Sequence, residues 1–140
     1  MGDNKLNKIL DKHRKWLNHE EGGERANLSD SNLRHSNLNN RDLCRSNLRG
    51  ADLRHSDLRE ADIDYSAWPL WCGSLKAYVD DRIAIQLLYH TLSVVQHSPY
   101  VSDELKRALL TPGNIDAANR FHHVGECGKL EVYNDGNTIC

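Results

Sequence analysis

The chain has 140 residues, a formal net charge of −2, and 39% hydrophobic against 27% charged residues. That length suits one domain with appendages and a real core, and the near-neutral charge excludes both a general nucleic-acid binder and an acidic tail protein. No run of about 18 apolar residues is present and Met1-Gly2-Asp3-Asn4 lacks an apolar signal region, so membrane and secretory readings fall away and a cytoplasmic location is expected.

Residues 4–20 place Leu6, Ile9, Leu10, His13, Trp16 and Leu17 on one side of an amphipathic helix, which Gly22-Gly23 stops. No chemistry is assigned to His13 or His19. Residues 1–25 are expected to cap the array that follows. From Ala26 to Tyr65 come eight consecutive five-residue units: ANLSD, SNLRH, SNLNN, RDLCR, SNLRG, ADLRH, SDLRE and ADIDY. A ninth, SAWPL, begins at Ser66 and loses the pattern. A period of five suits neither a helix nor a flat strand, because successive leucines would leave any single face. The chain must therefore turn once per unit.

Residues two apart in an extended segment point the same way, so an inward Leu28 brings Ala26 inward and sends Asn27 outward. Every central position is Leu or Ile, and the position two before it is Ala or Ser in seven of eight units. Large and small residues alternating inside fill a narrow tube. The slot before each leucine is always Asn or Asp, whose short side chains bond nearby backbone and tolerate turns. Arg41 departs from this pattern by occupying an inward slot, where an unpaired guanidinium is costly. A local bulge or an outward-turned corner is expected there.

These units resemble the pentapeptide-repeat family, A(D/N)LXX. The resemblance implies a right-handed quadrilateral β-helix with four units per coil, hence about two coils, with Leu28 beneath Leu48 and Leu33 beneath Leu53. The expected class is α+β: an N-terminal capping helix over 1–25, the β-helix over 26–70, and a helical C-terminal region with a short tail over 71–140. The segments WPLWCGSLKAYVDDRIAIQLLYH and NRFHHVGECGKLE resemble small pentapeptide-repeat proteins encoded by tailed bacteriophages.

Beyond the repeats, Trp68 falls in the slot above Leu48, and Trp68 with Trp71 is expected to close the mouth of the tube. Asp80 or Asp81 starts a helix reaching about Gln96, apolar on several sides through Ile83, Ile85, Leu87, Leu88, Leu92, Val94 and Val95. A helix apolar nearly all round is buried. A homodimer through residues 80–96 is expected to cover it. Ser102 starts a short helix closed by Thr111-Pro112-Gly113, and Asn114 caps another through His122. KLEVY, NDGN and TIC suggest a strand, a turn and a fraying end.

Stacking units four apart sets Arg34 beside Arg54 and His35 beside His55 on one outward corner, with Arg49 and Arg59 on neighbouring slots. Like charges stacked across a ladder repel. These six residues are the expected binding surface for an anion or a partner's carboxylates, unless the cations pair locally with Asp30, Asp52 and Asp57. His122, His123, Cys127 and Cys140 are metal-ligand types, but their spacing matches no zinc finger, so structural or exposed roles are expected and no metal is assigned. The four cysteines, Cys72 among them, are dispersed without CxxC spacing and read as free thiols.

No nucleophile motif, zinc-protease motif or phosphate loop is present, so neither an enzyme nor a cofactor is expected. The repeats carry six Arg against seven Asp and Glu. Two coils rise about 10 Å, against about 34 Å for a DNA turn, which disfavours both a DNA mimic and direct nucleic-acid binding. The function expected is a non-enzymatic binding module, a phage-encoded inhibitor of a host bacterial protein in counter-defence or host takeover, acting by surface occupation. The alternatives are a protein that sequesters a small anion or nucleotide, and a DNA-mimic inhibitor of a nucleic-acid enzyme.

Overall fold

The computed structural model describes residues 1–134 and 136, and the chain divides into two compact units, Met1–Asp80 and Asp81–Cys140. In the first unit, helix α1 spans Asp3–Leu17 and buries Leu6, Leu10 and His13. Their spacing of four and three residues sets them on one helical face. Gly22, with φ 74°, lets the chain reverse. At Gly23 a Cβ would lie 2.4 Å from the backbone nitrogen of Trp16, so a side chain is excluded where the chain doubles back along the helix. The Glu24 N–H then donates to the Lys12 carbonyl at 3.1 Å, and the repeats begin alongside α1.

Each repeat unit makes one turn. The Leu28 carbonyl accepts from the Ser31 N–H, and the same bond recurs through to Ile63 and Ser66. The fifth residue of each unit takes a positive φ, between 53° and 68°, at Asp30, His35, Asn40, Arg45, Gly50, His55, Glu60 and Tyr65. That backbone costs a non-glycine residue about 1–2 kcal/mol. Two sets of bonds offset it. In all eight units the Asn or Asp side chain accepts from the N–H two residues on, as Asn27 Oδ1 does from Ser29. The chain also returns over itself, with parallel pairings twenty residues apart between Asn27 and Asn47, Asn32 and Asp52, Asn37 and Asp57, and Asp42 and Asp62. Leu28 N–H donates to the Asn47 carbonyl at 2.8 Å, and Asn47 N–H to the Ala26 carbonyl at 3.0 Å.

These pairings overturn the expected fold class. Among the described residues no β-strand forms, and the regular secondary structure is helical: five α-helices and a 3₁₀ turn at Cys72–Ser74. A right-handed quadrilateral β-helix of two coils, and with it the α+β class, is not what the chain forms. Each pairing is one residue long because a turn interrupts the extended backbone in every unit. What stands in its place is a stack of turns in two layers, residues 26–45 and 46–65. The interior is as the repeat pattern requires: Leu28, Leu33, Leu38, Leu43, Leu48, Leu53 and Leu58 are fully buried, and Ala26, Ala51, Ala61, Ser36, Ser46 and Ser56 fill the small slots.

The stack continues past its last unit. Asn47 pairs with Ala67 and Asp57 with Tyr78, and the Leu53 N–H donates to the Gly73 carbonyl. Trp68 is half-buried and Pro69 fully buried. Trp71, expected beside Trp68 at the mouth, instead lies outside, 46% exposed, with its Nε1 donating to the Ala51 carbonyl. Nor does Arg41 cause a bulge. Its N–H closes the usual turn on Leu38, its carbonyl accepts from Asp62 as the pattern demands, and its exposed side chain donates to Asn7 Oδ1 on α1 at 3.4 Å.

The second unit packs helices α2 (Asp81–His97), α3 (Asp103–Leu109), α4 (Pro112–Ala118) and α5 (Val124–Cys127). Tyr89, Leu92 and Val95 of α2 bury themselves with Leu110, Ile115, Ala118, Phe121 and Leu130, and Ile85 and Leu88 pack against that cluster. Much of the apolar surface assigned to a second copy of the chain is thus covered internally, although Val94 stays exposed. Ser102 caps α3 as expected. Thr111 rather than Asn114 caps α4, because Pro112 lacks the N–H that a helix start leaves unused, while Asn114 Nδ2 turns back to the Leu109 carbonyl. KLEVY forms no strand: Asn119 clasps Leu130 through both its amide groups, at 2.8 and 2.9 Å. Asp135 and the final TIC lie outside the described residues.

Candidate functional site

The fourth and fifth positions of each unit face outward, and the twenty-residue return sets like positions over one another. His35 and His55 stack, with ring centroids 5.1 Å apart and planes 13° from parallel. The His55 N–H donates to the carbonyl of Lys76, itself at φ 61°, so the same corner carries on upward. The Tyr78 ring lies 6.1 Å from His55, with its hydroxyl 3.4 Å from Nδ1. Beside this column, the Arg54 guanidinium sits 5.9 Å from the Trp71 ring centre. The corner therefore offers cations and the half-exposed aromatics Trp71 and Tyr78 together.

The guanidiniums differ in how they are satisfied. Arg54 grips Asp52 through two bonds of 2.8 and 2.5 Å, and Arg59 grips Asp57 through two of 2.9 and 2.7 Å. Those contacts hold both carboxyls down at about 2 and raise both arginines. Arg34 is close enough to favour the Asp52 carboxylate further, yet among the described residues neither Arg34 nor Arg49 has an ion-pair partner. Local pairing thus accounts for two of the expected cations and leaves two.

The sequence carries a signal for this difference. Arg54 and Arg59 follow Asp by two residues, in Asp52-Leu53-Arg54 and Asp57-Leu58-Arg59, whereas Arg34 and Arg49 follow Asn32 and Asn47. Both residue types make the turn, but only the acid also neutralises its arginine. Arg34, His35, Arg54 and His55 come together on the corner. Arg49 and Arg59 occupy the corners before and after it, over Ser29 and Asn39. Trp71 and Tyr78 join the site from a segment with no repeat pattern to mark them.

The other candidates do not assemble. Cys127 does not converge with His122 and His123 as a metal-ligand set among the described residues, and Cys140 lies outside them. His123 Nδ1 lies 3.4 Å from Glu126 instead. Cys72 is a free, exposed thiol. Among the described residues no helix is long and apolar enough to cross a membrane.

Residues 26–63 match the family model of pentapeptide repeats, in eight copies. That match supports pentapeptide repeats in this segment and reaches no other part of the chain. No curated protein and no solved structure matches it.

Proposed function

We propose that the chain is a non-enzymatic binding module, a phage-encoded inhibitor that occupies a surface of a host bacterial protein. The observation that carries this reading is Arg34. Among the described residues it makes no ion pair, although it is close enough to favour the Asp52 carboxylate, and it precedes His35 of the His35–His55 stack on a backbone fixed by the pairing of Asn32 with Asp52. A side chain held by a rigid scaffold loses little freedom on docking. Trp71 and Tyr78 supply the half-exposed aromatic anchors that interface hot spots favour, with Arg54 against one and His55 against the other. The phage origin rests on the likeness of residues 68–90 and 119–131 to small phage-encoded proteins.

The pairing difference between Asp-Leu-Arg and Asn-Leu-Arg supplies the test. Asn32→Asp keeps the side-chain acceptor of the turn and gives Arg34 the partner that Arg54 already has. In capture from a bacterial lysate at low salt, Asn32→Asp and Arg34→Glu are both expected to fold as the parent does. Each should weaken retention of the partner by about 2 kcal/mol, the scale of an interface hot spot. The difference should shrink at high salt, where exposed charges are screened. Undiminished capture by both variants would refute the corner as the binding surface. A small molecule that co-purifies and is lost in both variants would favour the anion-sequestering reading.

A further inference from the structure

His13 is fully buried, and its Nδ1 accepts a hydrogen bond from the Ala26 N–H at 3.1 Å. Ala26 opens the first repeat unit, so this bond ties α1 to the start of the lower layer. An accepting Nδ1 places the ring proton on Nε2, which is also buried and has no hydrogen-bond partner. The ring is stacked on Trp16 at 5.7 Å. The bond from Ala26 thus fixes the ring in one tautomer.

α1 has further fastenings to the stack. They are the Met1 ammonium on the Asn32 carbonyl, Arg41 on Asn7, the Lys12–Glu24 pair, and the buried Leu6 and Leu10. Facing the imidazole, the Asp42 carboxylate and the Cys44 carbonyl favour a proton and Arg25 opposes it; burial outweighs them and lowers the ring below the ordinary histidine value. A second ring proton on Nδ1 would replace the acceptor with a donor pointing at the Ala26 N–H. It would also leave a charge inside the apolar seat of the helix.

We propose that His13 is an acid-released latch: protonation of its ring unseats the C-terminal half of α1 from the lower layer and opens that end of the stack. The sign follows from linkage. The released state takes up a proton at the value of a free histidine, about 6.5, and the seated state only at a lower pH. The seat is therefore complete above about pH 6.5 and weakens as the pH falls through the interval between the two values.

Amide hydrogen exchange and histidine titration by NMR on the unmodified chain, between pH 7.5 and 5.0, test this. After correction for intrinsic rates, the Ala26 amide should open more readily as the pH falls, by up to roughly tenfold per pH unit once one proton is taken up on release. Leu53 and Leu58 amides, bonded inside the stack, should show no such acceleration. His13→Asn keeps an acceptor at the Nδ1 position without a titrating ring, and should remove the pH dependence at Ala26. A His13 ring that titrates at or above about 6.5, or an Ala26 amide equally protected at both ends of the range, overturns the proposal. So does an unchanged pH dependence in His13→Asn. Should that variant not fold, the two measurements on the unmodified chain decide alone.

Discussion

Gly50 faces Asp30 across the two layers: a Cβ built on Gly50 would lie 2.1 Å from Asp30 Oδ1. Gly50 also holds φ 68°, in a slot where the other seven units place side-chain-bearing residues. Gly50→Ala should destabilise the chain by about 1 kcal/mol for the left-handed backbone, since the Asp30 carboxylate is free to swing aside. Urea unfolding of Gly50→Ala against Gly50→Ala with Asp30→Ala separates the two costs. Equal losses in both would assign the effect to the backbone.

Leu38 and Leu58 occupy the same central slot one layer apart, and both are fully buried. The Leu58 N–H donates in turn to the Tyr78 carbonyl, so Leu58 lies between two levels of chain. Leu58→Ala should cost about 2–5 kcal/mol, the range for a buried leucine whose cavity cannot collapse. Arg49→Ala, outward and exposed, should stay within about 0.5 kcal/mol. Comparable losses in chemical denaturation would reverse the assignment of inside and outside.

Arg41 breaks the repeat consensus without breaking its geometry. Its side chain leaves the stack toward Asn7 instead of entering the interior. Arg41→Ala should therefore change stability by no more than about 0.5 kcal/mol, as for other exposed positions. A clear gain in thermal midpoint would show relieved crowding, which the structure does not contain.

Asp52 and Asp57 should titrate at about 2, because each carboxylate is gripped by the arginine two residues on. Their contribution is present above the ordinary aspartate value and is lost as the pH falls through about 2. Carbon-13 NMR of the side-chain carboxyls checks this directly. In Arg54→Gln the Asp52 carboxyl should return toward the ordinary range while Asp57 stays low.

In the second unit, Asn119 does the work of a strand neighbour for the tail. Its Oδ1 accepts from the Leu130 N–H and its Nδ2 donates to the Leu130 carbonyl. Asn119→Ala should cost about 1–3 kcal/mol, since it strips partners from partly buried backbone groups. It should also raise the proteolytic sensitivity of the chain beyond Gly128. Unaltered cleavage would mean that burial of Leu130 alone holds the segment.

The interior of the stack is legible in the sequence because Leu or Ile every fifth residue, preceded by Asn or Asp, specifies both what is buried and what turns. Strand formation is not legible in the same pattern. A turn in every unit satisfies the hydrophobic period while keeping each pairing one residue long, so periodicity reports the core and stays silent on the ladder. His13 shows the limit from another side. Its heptad-like spacing from Leu6 and Leu10 marks it as buried, but its partner Ala26 is reached only because Gly23 lets the chain double back on Trp16. On the corner, Arg34 and His35 follow from counting in twenties. Trp71 also lies twenty residues beyond Ala51, whose carbonyl its Nε1 reaches, but no repeat consensus marks its segment.

Because each unit closes its own turn through its own Asn or Asp, units are interchangeable modules, and the order in which they are counted decides what meets across the layers. Deleting residues 41–45, one whole unit, would leave every remaining turn with its side-chain acceptor and every remaining leucine facing inward. It would nevertheless advance the upper layer by one side, bringing Glu60 over His35 and Arg59 over Arg34. The corner would exchange its stacked imidazoles for an imidazole against a carboxylate. In this architecture the surface is rewritten by the length of the tape, with no contact residue altered.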